Sequence, residues 1–430
     1  MRERRVGRVR TWVVLTVVAA IASAAPCLAQ PAPAPPAAGS ASFDPIAATE
    51  AYLARVPAEQ RARSDAYFEG GYWLILWDFL LGAAVGLALL FTRLSARMRD
   101  LAARVTRLAG LQTALYWVQY LVITALVSAP LSIYEGYFRE RKYGLATQTF
   151  GPWLGDQLKG LAIGAVFGGL LIMLVYLVIR RAPRSWWMWG AGVAIVFLLI
   201  GQIIAPVFIA PLFNRYTKLE DPAIREPILR LARANGVPAT DVWVFDASRQ
   251  TTRVSANVSG LGGTSRISLN DNLLKRCTLP EIEATMGHEM GHYVLNHGSK
   301  GMIEMGVLAV IGFAFMRWGF ERLHRRWGAR WGIAGVADVA GLPVLALLLS
   351  TYSFVLTPVT NTIIRTAETE ADIFGLNAAR QPDGEAEVDL KLGEYRKLKP
   401  TALEEFVFFD HPSGYNRILM AMRWKAENLH

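Results

Sequence analysis

The chain has 430 residues, 53% of them hydrophobic, and 45 basic against 35 acidic side chains give it a net charge of +10. A mean hydropathy of +0.27 is too apolar for an ordinary soluble enzyme and fits several membrane spans plus a polar portion. The arginines cluster beside apolar runs, as membrane flanks do, and no nucleic-acid motif accompanies them, so we expect membrane lipid and no nucleic acid as a partner. Two cysteines, Cys27 and Cys277, argue against a disulfide framework.

Residues 1–10 carry five arginines, and an apolar run from Trp12 to Ala25 follows. With Cys27 and Ala29 before a cut, residues 1–29 read as a secretory signal peptide or as a retained first transmembrane helix. The Pro/Ala-rich tract from Gln30 to Ser42 reads as a linker, and residues 43–70 as an amphipathic surface helix. Residues 30–71 thus precede the membrane region. Four apolar runs, about Tyr72–Phe91, Leu111–Tyr134, Leu158–Ile179 and Trp186–Ile209, can each cross roughly 30 Å of hydrocarbon. They make 72–209 a four-helix transmembrane region. Asp78 inside the first run hints at a cavity or a partner. Trp186, Trp187 and Trp189 read as an interfacial aromatic belt.

Residues 210–300 are polar and globular in character. Asp221 to Ala234 reads as a helix ending near Gly236, and Val242 to Asp246 as a strand. Arg253–Val258 and Ser265–Leu269 read as strands around a hairpin turn at Gly260–Gly263. The next stretch is a helix with a capping box, Thr278 and Glu281, and Pro280 in its first turn. Gly298 is the expected left-handed end. Residues 301–360 read as a transmembrane hairpin, about Met302–Phe320 and Val336–Leu356, around an arginine-rich loop with Arg322, Arg325, Arg326 and Arg330. Residues 361–430 then return to the side that 210–300 occupy.

The capped helix carries H-E-x-x-H as His288, Glu289 and His292. Histidines four apart project from one helix face and can hold one zinc ion. Glu289, one position round, is placed to take a proton from the zinc's water. A zinc hydrolase needs three protein ligands and an open fourth position. Glu368, on a helix across the returning hairpin, is the expected third. Asp372, one turn on, can hold the far nitrogen of a ligand histidine. Glu370 is the competitor, about 200° round the helix from Glu368, so both cannot serve. His297, five residues after His292 and about 140° round, is a poor ligand and is expected to line the site or cap the helix. His411, before Pro412, reads either as a donor to a developing oxyanion or as a solvent-facing turn histidine.

Four segments, Ile209–Tyr216, Ser255–Leu269, Gly287–His292 with Leu295–His297, and Arg365 with Glu368 and Asp372, together resemble the type-I CAAX prenyl protease family of gluzincin-like, membrane-integrated zinc endopeptidases. His411, Pro412 and Arg417 match that family's late His-Pro element, and HtpX is a more distant relative. The resemblance implies a multi-pass, all-α membrane protein. Its six or seven transmembrane helices would surround a chamber, with helices and a small β-sheet of the protease domain at one face. It implies one zinc ion per chain on His288, His292 and Glu368, Glu289 as general base, Asp372 behind the ligands, and His411 near the reacting carbonyl. The stretch Ala256, Asn257 and Val258 resembles the edge strand that binds an extended peptide or protein substrate.

The arginine-rich segments 1–10, 93–107, 180–184 and 322–330 fall on one face by span counting. The positive-inside rule makes that face cytoplasmic and the catalytic side extracytoplasmic, in a bacterial inner membrane. The expected activity is peptide-bond hydrolysis, with quality control of membrane or exported proteins as its setting. A non-catalytic zinc-binding scaffold or chaperone is the alternative. A transporter lacks support, because no repeated half or paired broken helices are present.

Overall fold

The computed structural model describes residues 43–259 and 266–429. The expected leader or first helix, the Pro/Ala tract, the Gly260–Gly263 turn and His430 lie outside the described residues.

Helix α1, Pro45–Ala54, is capped by Asp44, whose carboxylate accepts from the Ile46 amide. Helix α2, Ala58–Phe91, is the first long apolar helix. Residues 58–70 are therefore not a separate amphipathic helix, because they run without a break into the span. Helix α3, Leu94–Val105, lies between α2 and α4, Ala109–Lys142. Helices α5, Phe150–Arg181, and α6, Trp186–Leu212, complete the first set. Apolar side chains such as Leu198, Ile200, Ile203 and Phe208 of α6 face outward. Leaving each in water would cost about 1.5–3 kcal/mol, so hydrocarbon is the medium this surface matches.

A small mixed sheet follows. Strands β1, Tyr216–Lys218, β2, Val242–Phe245, β3, Ala256–Ser259, and β4, Arg266–Asn270, lie in the order β1-β2-β4-β3. The β2–β4 pair is parallel, with Val242 opposite Ile267, and β3 pairs antiparallel to β4, with Asn257 opposite Ser268. Helix α7, Pro222–Ala234, buries Ile228, Leu229 and Ala232 against Val242, Ile267 and Leu269. After the short helix α8, Asp271–Arg276, comes α9, Leu279–Val294, whose capping box forms as expected. Glu281 accepts from the Thr278 amide at 2.6 Å and from Lys391 at 2.6 Å.

Helix α9 does not end at Gly298. Asn296 takes the left-handed conformation, φ 56°, and α10, His297–Trp331, starts at once. Asparagine tolerates that region because its short side chain bonds locally. The expected arginine-rich loop is helical too: Arg322, Arg325, Arg326 and Arg330 lie on the last turns of α10. His324 sits there as well and bonds the Ile333 carbonyl at 3.0 Å. Helix α11, Leu342–Val355, and α12, Thr357–Ala379, form a pair bent by 56°. Pro358 in the first turn of α12 cannot donate its amide, which favours a break between the two helices there. The chain ends with α13, Pro382–Leu392, α14, Ala402–Phe408, and α15, Gly414–Asn428. Among the described residues, five helices are long and apolar enough to cross a membrane, or six if the bent pair counts as one span.

Three apolar clusters hold these parts. One joins the spans through Leu89, Tyr116, Tyr176 and Phe320. One joins the sheet to α9 through Ile267, Leu269, Met286 and Met290. The third packs Leu53 and Val56 beside Leu376, Ile418 and Met422, so the first described helix is fastened to the last. Between α9 and α12 the contact is mostly backbone. A methyl group on Gly375 would lie 2.8 Å from the His288 amide nitrogen, and one on Gly287 would lie 3.0 Å from the Gly375 carbonyl oxygen. Gly375→Ala should therefore part the two helices and cost about 1–3 kcal/mol. Gly301→Ala, which meets nothing within 4 Å, is the control. Thermal melting in detergent checks this; equal melting of the two variants would contradict it.

Candidate metal centre

Helix α9 presents His288 and His292 toward α12, and the bend at Pro358 turns α12 so that Glu368 meets them. The Nε2 atoms of the two histidines are 3.1 Å apart. Glu368 places Oε2 3.2 Å from His288 Nε2 and Oε1 3.5 Å from His292 Nε2. Zn–ligand bonds of about 2.0–2.1 Å require tetrahedral edges of roughly 3.3–3.4 Å. The cluster is thus compact enough to close around one ion. Among the described residues, these three form the one group able to hold a metal, their ligand atoms within 4.8 Å of one another. Glu368 Oε2 is buried with no hydrogen-bond partner, as an atom reserved for a cation would be.

The electrostatics agree. Burial opposes ionisation of Glu368, but the imidazoles of His288 and His292 close beside it overcome this and hold the carboxyl far below its ordinary value. Burial likewise opposes charge on His288, but its bond to Asp372 overcomes this and raises its pKa.

Each histidine of the pair is held from behind. His288 Nδ1 lies 2.6 Å from Asp372 Oδ1. Asp372 is fully buried and accepts from Arg417 Nε at 3.0 Å and Nη2 at 2.6 Å. Arg417 also meets Glu385 at 2.9 Å and Asp389 at 3.0 Å. Burial favours the neutral form of Asp372, but Arg417 and His288 keep it ionised. His292 Nδ1 lies 2.9 Å from His297 Nδ1. Glu370, the competing ligand, points away and bonds His297 and Lys300 instead.

Glu289 is half-buried beside the ligands and makes no hydrogen bond among the described residues. Burial raises its pKa, with His288 and His292 pulling the other way. His411 Nε2 faces Glu368 Oε2 at 3.3 Å, while its Nδ1 lies 2.8 Å from Asp410. It is at the cluster, not in an outward turn. Arg365 bonds the Glu405 carbonyl at 2.8 Å and the Phe409 carbonyl at 2.5 Å, which ties the loop bearing His411 to the helix bearing Glu368. Ala256, Asn257 and Val258 lie on β3, an outer strand of the sheet that packs beside α9. Sequence reasoning missed Asp410, Glu385 and Asp389. The last two stand one turn apart on α13, a spacing that could have marked a shared face.

Comparison with known proteins adds independent findings. Residues 47–215 match the family model described as CAAX prenyl protease N-terminal, five membrane helices, and residues 218–425 match peptidase family M48. The chain is 32% identical over 320 residues to the uncharacterised metalloprotease YhfN of Bacillus subtilis, covering 74% of each chain. It is 29% identical over 299 residues to a probable CAAX prenyl protease 1 of Schizosaccharomyces pombe, covering 69% of this chain and 63% of that one. The crystal structure of Saccharomyces mikatae Ste24p shares the fold, with TM-score 0.72 at 22% identity over 85% of this chain and 89% of that one.

Asp372→Asn keeps the shape behind His288 but removes the charge, so zinc affinity should fall about 10–100-fold. Competition with a chelator measures this; an unchanged affinity would show that Asp372 only packs.

Proposed function

This chain belongs to peptidase family M48 and is an integral-membrane metalloprotease, and from that premise we propose that it cleaves extended peptides with Glu289 as general base at one zinc ion per chain. The observation that carries this reading is the convergence of His288, His292 and Glu368, their ligand atoms within 4.8 Å of one another, with an uncommitted carboxylate beside them. A structural zinc site is normally closed by four protein ligands, which weighs against the scaffold reading.

Bound by His288, His292 and Glu368, zinc would lower the pKa of water towards about 7 and polarise the scissile carbonyl. Glu289 takes the proton of the attacking water and returns it to the leaving amine. Burial, by raising the Glu289 pKa, makes its conjugate acid hold that proton better at neutral pH. His411, held at Nδ1 by Asp410, turns Nε2 toward the oxygen that gathers charge and is placed to donate to it. The outer edge of β3 offers backbone groups to an extended substrate, which adds as a further strand.

The bundle's two ends differ in charge. At one end Arg99 pairs with Asp338 at 2.6 Å, and Arg93 and Arg180 hold neighbouring helix ends. At the other, Arg253, just before β3, pairs with Glu140 at 2.7 Å. Arginine density makes the first end cytoplasmic, so the site faces the extracytoplasmic side of a bacterial inner membrane. Such a site would meet membrane and exported proteins, and quality control of these is the proposed role.

Glu289→Gln should lower cleavage of a quenched peptide by about 10²–10⁴-fold with zinc still bound. In the wild type, the base must be ionised and its pKa is raised. The acid limb of kcat/KM should therefore lie above the ordinary glutamate value of 4.5. Full turnover by the variant would overturn the base assignment. For sidedness, an impermeant maleimide should label Glu220→Cys in spheroplasts, and Arg326→Cys only after the membrane is opened. The reverse pattern would overturn the orientation.

A further inference from the structure

We propose that His297 and Glu370 form a directed hydrogen-bond relay that sets the tautomer and ring orientation of His292. The inference rests on the zinc reading above, and concerns residues outside the ligand set.

The chain of contacts is short and complete. His292 Nδ1 faces His297 Nδ1 at 2.9 Å, His297 Nε2 faces Glu370 Oε2 at 3.0 Å, and Lys300 Nζ reaches the same oxygen at 2.9 Å. His297 is buried, while Glu370 and Lys300 stand at the surface. The left-handed Asn296 makes this possible. It ends α9 and swings His297 back over His292, a place that continued helical geometry could not provide.

Proton direction follows from chemistry alone. Two ring nitrogens that face each other at hydrogen-bond distance need one donor and one acceptor. An ionised carboxylate only accepts, so Glu370, anchored by Lys300, makes His297 Nε2 the donor. Neutral His297 then has a bare Nδ1, which accepts. His292 Nδ1 must therefore carry the hydrogen, and its lone pair lies on Nε2. That atom is the one that faces Glu368 and His288. Glu370 thus selects, through one intervening ring, the tautomer that can ligate.

The two ligand histidines are consequently held by different devices. His288 leans on a buried carboxylate locked by Arg417. His292 leans on a neutral ring whose orientation is set from the surface. Removing the second device leaves His292 free to take either tautomer.

The test uses purified full-length protein in detergent, with zinc content, melting temperature and the rate of zinc loss to excess chelator as readouts. His297→Ala should speed zinc loss about 10–100-fold. His297→Asn keeps an acceptor oxygen near the Nδ1 position and should recover most of that difference. Glu370→Gln, which can offer His297 either an oxygen or an NH2, should fall between wild type and His297→Ala. Zinc loss at the wild-type rate in folded His297→Ala would overturn the relay. So would His297→Asn performing no better than alanine, because packing alone would then explain the effect. If His297→Ala fails to fold, Glu370→Gln decides, and a wild-type rate there overturns the relay. A wild type that binds no zinc would instead sink the reading of the centre itself.

Discussion

The close crossing of α9 and α12 is the contact on which the rest depends. Two histidines on one helix offer only two metal-binding nitrogens, so any third group must come from a chain segment far away in sequence. Gly287, Gly291 and Gly375 let the two backbones approach until an added methyl group would collide with main-chain atoms. Only at that distance does a glutamate side chain span the gap to both Nε2 atoms. The bend at Pro358 complements the crossing. It takes a helix that arrives from the membrane and turns it across α9, so the membrane hairpin itself delivers Glu368.

Charge placement follows the same crossing. Bringing His288, Glu368 and Asp372 together buries acids that water would otherwise solvate, and isolated buried charges are expensive. Arg417 answers with one guanidinium shared by Asp372, Glu385 and Asp389, drawn from α12 and α13. Helix α15, which carries Arg417, also packs against α1 in the third apolar cluster. The first described helix and the last thereby brace the same buried charge network. Removing one member leaves the others unpaired, which costs more than the pair contributes.

What could be read in the residues was whatever a short window encodes. H-E-x-x-H, the Thr278–Glu281 cap, the strands around Val242 and Ile267, and the long apolar runs all have local signals. The ends of elements were harder. Gly298 looked like a helix stop, but Asn296 took that role two residues earlier, because packing beside His292 decides where the chain turns. The arginines of 322–330 looked like a loop, yet arginine is a good helix former and the helix simply runs on into the interface. Residues 58–70 looked amphipathic because one side meets the C-terminal region, though the helix is continuous with the span. The fastening of α1 to α15, and the use of Glu385 and Asp389, join residues hundreds apart or hidden on α13. No periodicity announces such partners.

In the proposed function one zinc ion sits on His288, His292 and Glu368 with a position left open. Zinc-edge X-ray absorption on the purified wild-type protein tests it most directly. The expected result is one zinc per chain with two imidazole nitrogens and carboxylate or water oxygens at about 2.0–2.2 Å. A sulfur scatterer near about 2.3 Å, or a closed set of four protein ligands, would contradict it.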